Sequence, residues 1–162
     1  CLFTASISYA EQKIVVLDMK FVLNQSKAGK GAQDFLKKSF SDNQKKFASL
    51  EKALKKEEND LLEKKSILSK EDYSKKADAL RKKVIDYQSQ RRAAIDGITS
   101  KRAKAKETLL KALDPILSNY IKENDISLVI NKINMLGGQP DYDITNFIVE
   151  ILNKEIPSLN LK

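Results

Sequence analysis

The sequence contains no histidine, no tryptophan and a single cysteine, Cys1. Histidine commonly supplies acid–base catalysis near neutral pH, and histidine and cysteine bind the softer metal ions. Phosphate-binding glycine loops, the HExxH zinc motif and the GxSxG nucleophile motif are absent as well. The carboxylates are scattered along charged segments instead of gathered in apolar surroundings that would shift their pKa. The sequence therefore predicts a protein that is not an enzyme and that has no cofactor or metal site.

Proline and glycine are scarce in residues 33–112, which contain no proline and one glycine, Gly97. The segment is rich in Lys, Glu, Leu, Ala and Gln, the composition of long helices. Its apolar residues recur at steps of three and four, as in the seam along which two helices pack. The predicted seam of the first half contains Leu36, Phe40, Asn43, Phe47, Leu50, Leu54, Glu57, Leu61, Lys64 and Leu68. That of the second half contains Tyr73, Ala77, Leu80, Val84, Tyr87, Arg91, Ala94, Ile98, Lys101 and Ala105.

Ser69 marks the point where the helix is expected to restart. Its side chain can cap a new helix, and Asp72 follows three residues later as an acidic variant of the capping box. The sequence predicts an antiparallel hairpin with its tip near Ser69 and two helices of about 50 to 60 Å, in which residues equally distant from Ser69 face each other. The alternative is one straight coiled coil of about 120 Å.

The segments on either side of the hairpin predict a small β-containing body, residues 11–32 and 113–162. Strands are predicted at residues 13–19, 127–131 and 132–136, and a closing helix capped by Asp143 at residues 141–154. Pro115 predicts either a kink or a new helix start. The fold class is therefore α+β, with the helical hairpin of residues 33–112 inserted into the body. Short strands would leave unpaired edges, so we expect the body to self-associate.

Residues 1–10 are apolar and end in Ser8-Tyr9-Ala10, with small side chains before a possible cleavage site. This pattern is typical of the end of a secretory signal peptide, and cleavage before Glu11 would remove Cys1. The alternative is that Cys1 is a lipidated amino terminus. No other segment approaches the 18 to 20 apolar residues of a membrane span, so we expect an exported protein that is soluble after cleavage.

Positive charge is concentrated in the predicted hairpin. The chain has a formal net charge of +8, and residues 33–112 contain 22 Lys and Arg against 13 Asp and Glu. Such a surface favours anionic partners such as nucleic acid, lipid head groups or acidic polypeptides, although solvated charge on an exposed helix gives the same pattern. Lysine dominates and aromatic residues are not interleaved with arginine, so no specific nucleic-acid binding is expected.

The whole arrangement resembles the Skp (OmpH-like) periplasmic chaperone family. The resemblance rests on the V-x-D-M-x-x-V-L-x-x-S-x-x-G pattern at residues 16–29, on Asp143-Ile144-Thr145, and on the order of strand, basic hairpin and closing helix. It implies a periplasmic homotrimer, in which three helical arms enclose a cavity that holds unfolded outer-membrane proteins without ATP.

The resemblance also implies a basic surface that contacts lipopolysaccharide. The residues at matching positions are Arg81, Arg91, Arg92 and Lys101. Lys101 points nearly opposite Arg92 around the helix, which argues against one flat site, and solvated helix charge is the alternative interpretation.

A chaperone that shields unfolded barrel strands needs scattered apolar contacts more than one deep pocket. The candidate client contacts are Phe40, Phe47, Ile67, Tyr73 and Ile95. Phe40, Phe47 and Tyr73 also lie on the predicted seam, where packing between the helices is the competing role, whereas Ile67 and Ile95 lie off it. The alternative functions are a histone-like or other anion-binding protein and a coiled-coil scaffold for a folded partner.

Overall fold

The computed structural model describes residues 12–161. These residues form β1 (Lys13–Leu17), α1 (Met19–Gln25), α2 (Lys27–Glu63), α3 (Lys70–Glu123), β2 (Ile126–Asn131) and α4 (Thr145–Glu155). Short 3-10 turns occupy Lys64–Ser66, Lys132–Asn134 and Pro140–Tyr142. The described chain is thus mostly helical with one small sheet, as predicted. The predicted signal-peptide remnant and its alternative, a lipidated Cys1, lie outside the described residues.

The chain divides into two compact units. One unit, here called the body, contains residues 12–32 of the described part together with Ala105–Asn160. The other, here called the hairpin unit, contains Gln33–Lys104 and Leu161.

The sheet of the body pairs β1 with β2 in parallel. In this register Ile14 lies opposite Leu128 and Val16 lies opposite Ile130. The predicted third strand, residues 132–136, is wrong, because a 3-10 turn starts directly after β2. The Asn131 side chain accepts a hydrogen bond from the Ile133 N–H at 3.3 Å, which turns the backbone out of the extended conformation.

The core of the body collects apolar side chains from both strands and all four helices. Its buried members are Val15, Leu17, Val22, Ala28, Leu109, Leu113, Ile116, Ile126, Ile144, Ile148 and Leu152. Partly buried residues of the last part of α3, Leu117, Tyr120 and Ile121, pack against this cluster. Phe147 of α4, in contrast, is exposed.

The motif at residues 16–29 connects β1 to α2 and contains the residues that cap α1 and α2. Asp18 ends β1 and caps α1, since its Oδ1 accepts the Phe21 N–H at 2.8 Å. Ser26 caps α2 in the same way, accepting the Gly29 N–H at 3.1 Å. A Cβ atom added at Gly29 would lie 1.9 Å from the Leu23 carbonyl oxygen, so only glycine fits there. The predicted strand over residues 13–19 therefore stops at Leu17.

The second motif, Asp143-Ile144-Thr145, fastens the start of α4 to the end of β1. Asp143 Oδ1 accepts the Thr145 N–H at 3.0 Å, and the Ile144 N–H donates to the Val16 carbonyl at 2.9 Å. The Thr145 hydroxyl in turn accepts the Asp18 N–H at 2.9 Å. Asp143 thus caps the first N–H of α4, as predicted, although Ile144 occupies the formal cap position.

Asp143 also forms an ion pair with Lys132, whose Nζ lies 2.7 Å from Oδ2. Burial tends to raise the pKa of Asp143, but hydrogen bonds from Lys132 and Thr145 outweigh it and leave the pKa below its usual value. The pair links the end of β2 to the start of α4.

Helix α3 passes through Pro115 without a break in helical structure. The alternative that a new helix starts at Pro115 is therefore wrong. The missing N–H of proline leaves the carbonyl of Lys111 without its usual helical donor, a local cost that the surrounding turns of a long helix tolerate. The helix ends at Glu123, two residues before Asp125, which has a positive φ of 52°.

Candidate functional site

The hairpin unit turns at Ser69. Ser69 Oγ accepts the Asp72 N–H at 3.1 Å and lies 2.6 Å from Asp72 Oδ2, so the predicted cap is confirmed. Across the hairpin, Lys83 Nζ lies 2.6 Å from Glu57, which joins α3 to α2. Contacts of this kind require antiparallel helices, and the alternative of one straight coiled coil is wrong.

The predicted seam holds these two helices together. The Phe47 and Tyr87 rings meet edge to face with centroids 5.9 Å apart, and Phe47 is buried. This is the packing role predicted as the alternative for Phe47. The Lys101 ammonium lies 5.3 Å from the centre of the Phe35 ring, a cation–π geometry. Two polar residues of the seam thus have a partner on the opposite helix: Glu57 contacts Lys83, and Lys101 contacts Phe35.

One side of the hairpin has an open groove of about 460 Å³ between α2 and α3. Its floor is apolar and half-buried or buried, formed by Leu54, Leu61, Tyr73, Ala77, Leu80, Val84 and Tyr87. Its exposed rim is formed by Glu51, Lys55, Glu58, Leu62, Arg81 and Gln88. Ala77 places a methyl group where the neighbouring seam positions carry large side chains, which explains the hollow at this point. We call this feature the hairpin groove.

Charges on the rim of the hairpin groove balance. The rim contains two negative residues, Glu51 and Glu58, and two positive residues, Lys55 and Arg81. Lys55 lies 3.2 Å from Glu51, and the hydrogen bond and charge of Lys55 lower the pKa of that carboxyl. The Tyr87 hydroxyl adds a long hydrogen bond of 3.4 Å to Glu51. The four charged residues of the rim therefore sum to zero, and Arg81 is itself paired with Asp78 at 2.8 Å.

A second hollow of about 460 Å³ continues along α3 from the first. It is lined by Tyr87, Gln88, Arg91, Arg92, Ile95 and Asp96. The structure thus brings the predicted anion contacts Arg91 and Arg92 together with the predicted client contact Ile95. Ile95 lies about one helical turn after the two arginines, and an aliphatic side chain next to guanidinium groups can contact a molecule that is both apolar and anionic.

The other predicted site residues are dispersed. Tyr73 and Arg81 line the hairpin groove, whereas Lys101 lines neither hollow. Ile67 follows the 3-10 turn at the tip and is 79% exposed. Phe40, which was predicted both on the seam and as a client contact, is 49% exposed.

Leu62 is the rim residue that sequence reasoning missed. It follows the seam residue Leu61 directly and is 54% exposed. Only one of two consecutive leucines in a heptad pattern can lie between the paired helices. The second leucine was therefore the signal in the sequence that pointed to an exposed apolar side chain at this position.

Among residues 12–161, no group of three or more Asp, Glu, Cys or His side chains is arranged to hold a metal ion. No helix of that part of the chain has the length and apolar character needed to cross a membrane.

Comparison with known proteins finds one family whose sequence model matches the chain and a solved structure with a closely similar fold. None of the curated proteins compared with the chain matches it. A crystal structure from Caulobacter crescentus CB15, described as a candidate outer membrane chaperone (OmpH-like), has a TM-score of 0.87 with this chain at 18% sequence identity, covering 100% of this chain and 96% of that one. This likeness shows the fold. The sequence model of the family described as Outer membrane protein (OmpH-like) matches residues 13–152, most of the chain. The chain therefore belongs to the OmpH-like outer membrane protein family.

Proposed function

We propose that this protein is an ATP-independent holdase chaperone of the periplasm, which binds unfolded outer-membrane proteins and prevents their aggregation. The observation that carries the proposal is the hairpin groove, an apolar surface that stays open to solvent in a chain of the OmpH-like family. An open surface of this kind can take apolar side chains of many sequences, which a chaperone for diverse clients requires.

The distribution of exposed apolar side chains supports the same function. Ile67, Ile95 and Phe40 remain accessible at separate points along the hairpin unit. A client barrel strand exposes apolar side chains at intervals when it is unfolded, so several weak contacts hold it better than one deep pocket. We further propose a homotrimer, in which hairpins from several subunits act on one client.

The experiment is an aggregation assay. A urea-unfolded outer-membrane barrel is diluted into buffer with and without this protein, and light scattering is followed over time. The proposal expects scattering to fall in proportion to added protein and without nucleotide. Unchanged scattering at a several-fold molar excess would refute the holdase function.

A second candidate function is contact with an anionic amphiphile such as lipopolysaccharide. The specific observation in its favour is the second hollow, which Arg91, Arg92 and Ile95 line together. The test is co-sedimentation with lipopolysaccharide aggregates. We expect the double variant Arg91→Gln and Arg92→Gln to reduce binding several-fold, while Lys101→Gln, outside the hollow, changes it little.

A further inference from the structure

The hairpin groove and the second hollow form one continuous surface along α3. They share two lining residues, Tyr87 and Gln88, so the second hollow begins where the hairpin groove ends. On α3 the lining residues run from Tyr73 to Asp96, all within one helix. At a rise of about 1.5 Å per residue, this part of the helix is about 34 Å long. We call the two hollows together the full groove.

The length of the full groove matches one strand of the proposed clients. A membrane-spanning strand of an outer-membrane barrel has about 9 to 11 residues. Because an extended strand rises about 3.3 Å per residue, such a strand is about 30 to 36 Å long. Its side chains alternate between two faces, and those that contact lipid in the folded barrel lie on the same face. An extended client strand can therefore place its apolar face on the full groove while its other face stays in water.

The two ends of the full groove differ in charge. The charges on the rim of the hairpin groove sum to zero. The second hollow contains the exposed residues Arg91 and Arg92, and Asp96 is the one carboxylate among its lining residues. Among residues 12–161, neither arginine forms an ion pair with a carboxylate. Both guanidinium groups are therefore available to an acidic group of an occupant.

The second hollow also lies in the most basic part of the hairpin unit. Residues 33–47 and 91–104 contain nine Lys and Arg against three Asp and Glu, whereas residues 48–90 contain 11 against nine. The excess positive charge is thus concentrated where the hairpin unit joins the body, and not toward the tip at Ser69. A strand with acidic residues at only one end should bind with that end at Arg91 and Arg92, since complementary charges set the orientation of a partner.

We infer that the full groove binds one extended client strand, whose apolar face contacts the hairpin groove and whose acidic end contacts Arg91 and Arg92. This inference rests on the proposed function, because it names the class of client segment that this surface selects. The preferred segment is a barrel strand of about 10 residues that adjoins an acidic turn or loop. A strand without acidic residues at either end binds through its apolar face alone and is held less tightly.

The test is a double-mutant cycle with two fluorescent peptides whose termini are blocked. Each peptide has about 10 residues of alternating Val and Thr, the length of one strand. Two Glu follow in the acidic peptide and two Gln in the neutral peptide, and the label is at the opposite end. Binding to the full chain is measured by fluorescence anisotropy at low salt. We expect the acidic peptide to bind about fivefold more tightly, as two exposed charge pairs would give.

Matched charge variants locate the acidic end of the strand. The double variant Arg91→Gln and Arg92→Gln should remove the preference for the acidic peptide and leave the affinity of the neutral peptide within about twofold. The control is the double variant Lys37→Gln and Lys38→Gln, which removes the same charge from two exposed residues of the basic part that line neither hollow. This control should keep the preference, because it leaves both arginines in place.

Matched apolar variants locate the apolar face of the strand. Leu62→Gln changes a rim residue that is 54% exposed, and Ile85→Gln changes a residue that is 57% exposed and lines neither hollow. Leu62→Gln should weaken both peptides by about fivefold, since roughly half of a leucine side chain is covered on binding. Ile85→Gln should leave both affinities within about twofold. An acidic peptide of the same composition with Val at helical spacing should bind more weakly than the alternating one.

Four results would overturn the inference. They are equal binding of the acidic and neutral peptides, loss of the preference in the lysine variant as well, equal effects of Leu62→Gln and Ile85→Gln, and tighter binding of the peptide with helical spacing. A change in the self-association of Leu62→Gln in sedimentation would also overturn it, because the groove would then belong to a second copy of the chain.

The aggregation assay separates this inference from the proposed function. If the unfolded barrel is protected while the acidic and neutral peptides bind equally, the holdase function stands and the inference is wrong. If the barrel aggregates while the preference for the acidic peptide depends on Arg91 and Arg92, the holdase function is wrong and the assignment of the full groove stands.

Discussion

Gly29 and Gly31 lie two residues apart in α2, yet an added methyl group would meet different surroundings at each. At Gly29 it would lie 1.9 Å from a carbonyl oxygen, whereas at Gly31 nothing lies within 4 Å. We expect Gly29→Ala to destabilise the protein by about 3 kcal/mol, because backbone must move. Gly31→Ala should stabilise it by about 0.5 to 1 kcal/mol through helix propensity. Urea unfolding followed by circular dichroism measures both, and similar effects would contradict the packing described for Gly29.

The ionised carboxylate of Asp143 should make the stability of the protein depend on pH. Its pKa lies below the usual value, so its ionised form favours the folded state. The corresponding stability is present above the unfolded-state pKa of about 3.9 and is lost as pH falls through the lower pKa of the folded state. Asp143→Asn should therefore reduce stability at pH 7, and its deficit relative to the parent protein should shrink below about pH 4.

The matched control for Asp143 is Lys132→Gln, which removes the other half of the ion pair. Asp143 also caps the Thr145 N–H, whereas Lys132 makes an exposed contact. We therefore expect Asp143→Ala to cost about 1 to 2 kcal/mol in urea unfolding at pH 7 and Lys132→Gln to cost clearly less. Equal costs would show that the cap adds nothing to the ion pair.

At the scale of elements, the periodicity of the sequence predicted those features of the helices that depend only on the spacing of nearby residues. The Ser69 cap, the antiparallel hairpin and most of the seam follow from steps of three and four residues and from one capping pattern. Periodicity did not distinguish residues 132–136 from a strand, because alternating apolar residues look the same whether or not a partner strand pairs with them. The side chain of Asn131 adds a local signal that favours the turn, because it accepts a hydrogen bond from the Ile133 N–H.

The hairpin groove was less predictable from the sequence than the seam beside it. Its depth depends on how far apart α2 and α3 lie around Ala77, and a one-dimensional pattern carries no interaxial distance. Tyr73 was identified as a candidate contact, but Leu62 and the balanced rim charges emerge only when the two helices are paired. The roles of these residues in binding stay predictions.

Gly97 carries a prediction about motion within α3. An added Cβ atom would meet nothing within 4 Å, and the nearby seam positions Arg91 and Lys101 are exposed. We therefore expect the hairpin to bend most easily near Gly97, since two of the seam positions around it are polar and exposed and glycine weakens a helix by about 1 kcal/mol relative to alanine. Gly97→Ala together with Arg91→Leu should slow amide hydrogen exchange in residues 93–101. Exchange that is already slow in the parent protein, and unchanged by the variants, would rule out a hinge.

At the scale of the whole molecule, the body exposes apolar side chains that association with another chain would bury. Ile14 and Leu128 lie opposite each other across the sheet and are both exposed, as are Ile133 and Leu136 beside it. A two-stranded sheet is marginal by itself, and association would cover this surface. We expect light scattering on the chain from Glu11 to give three times the monomer mass, and a monomer at micromolar concentration would contradict the trimer.

The parallel pairing of β1 with β2 also has a consequence for how the chain folds. Lys13 donates a hydrogen bond to the Asn124 carbonyl across 111 residues, one of the longest-range contacts of the body. Closing a loop of this length costs conformational entropy, but antiparallel pairing of α2 and α3 shortens the path that remains to be closed. The hairpin should therefore form before the sheet, and β1 should wait unpaired until residues beyond Ile126 are available. Pulse-labelling hydrogen exchange would show this order as earlier protection in residues 40–100 than in β1, and the reverse order would contradict it.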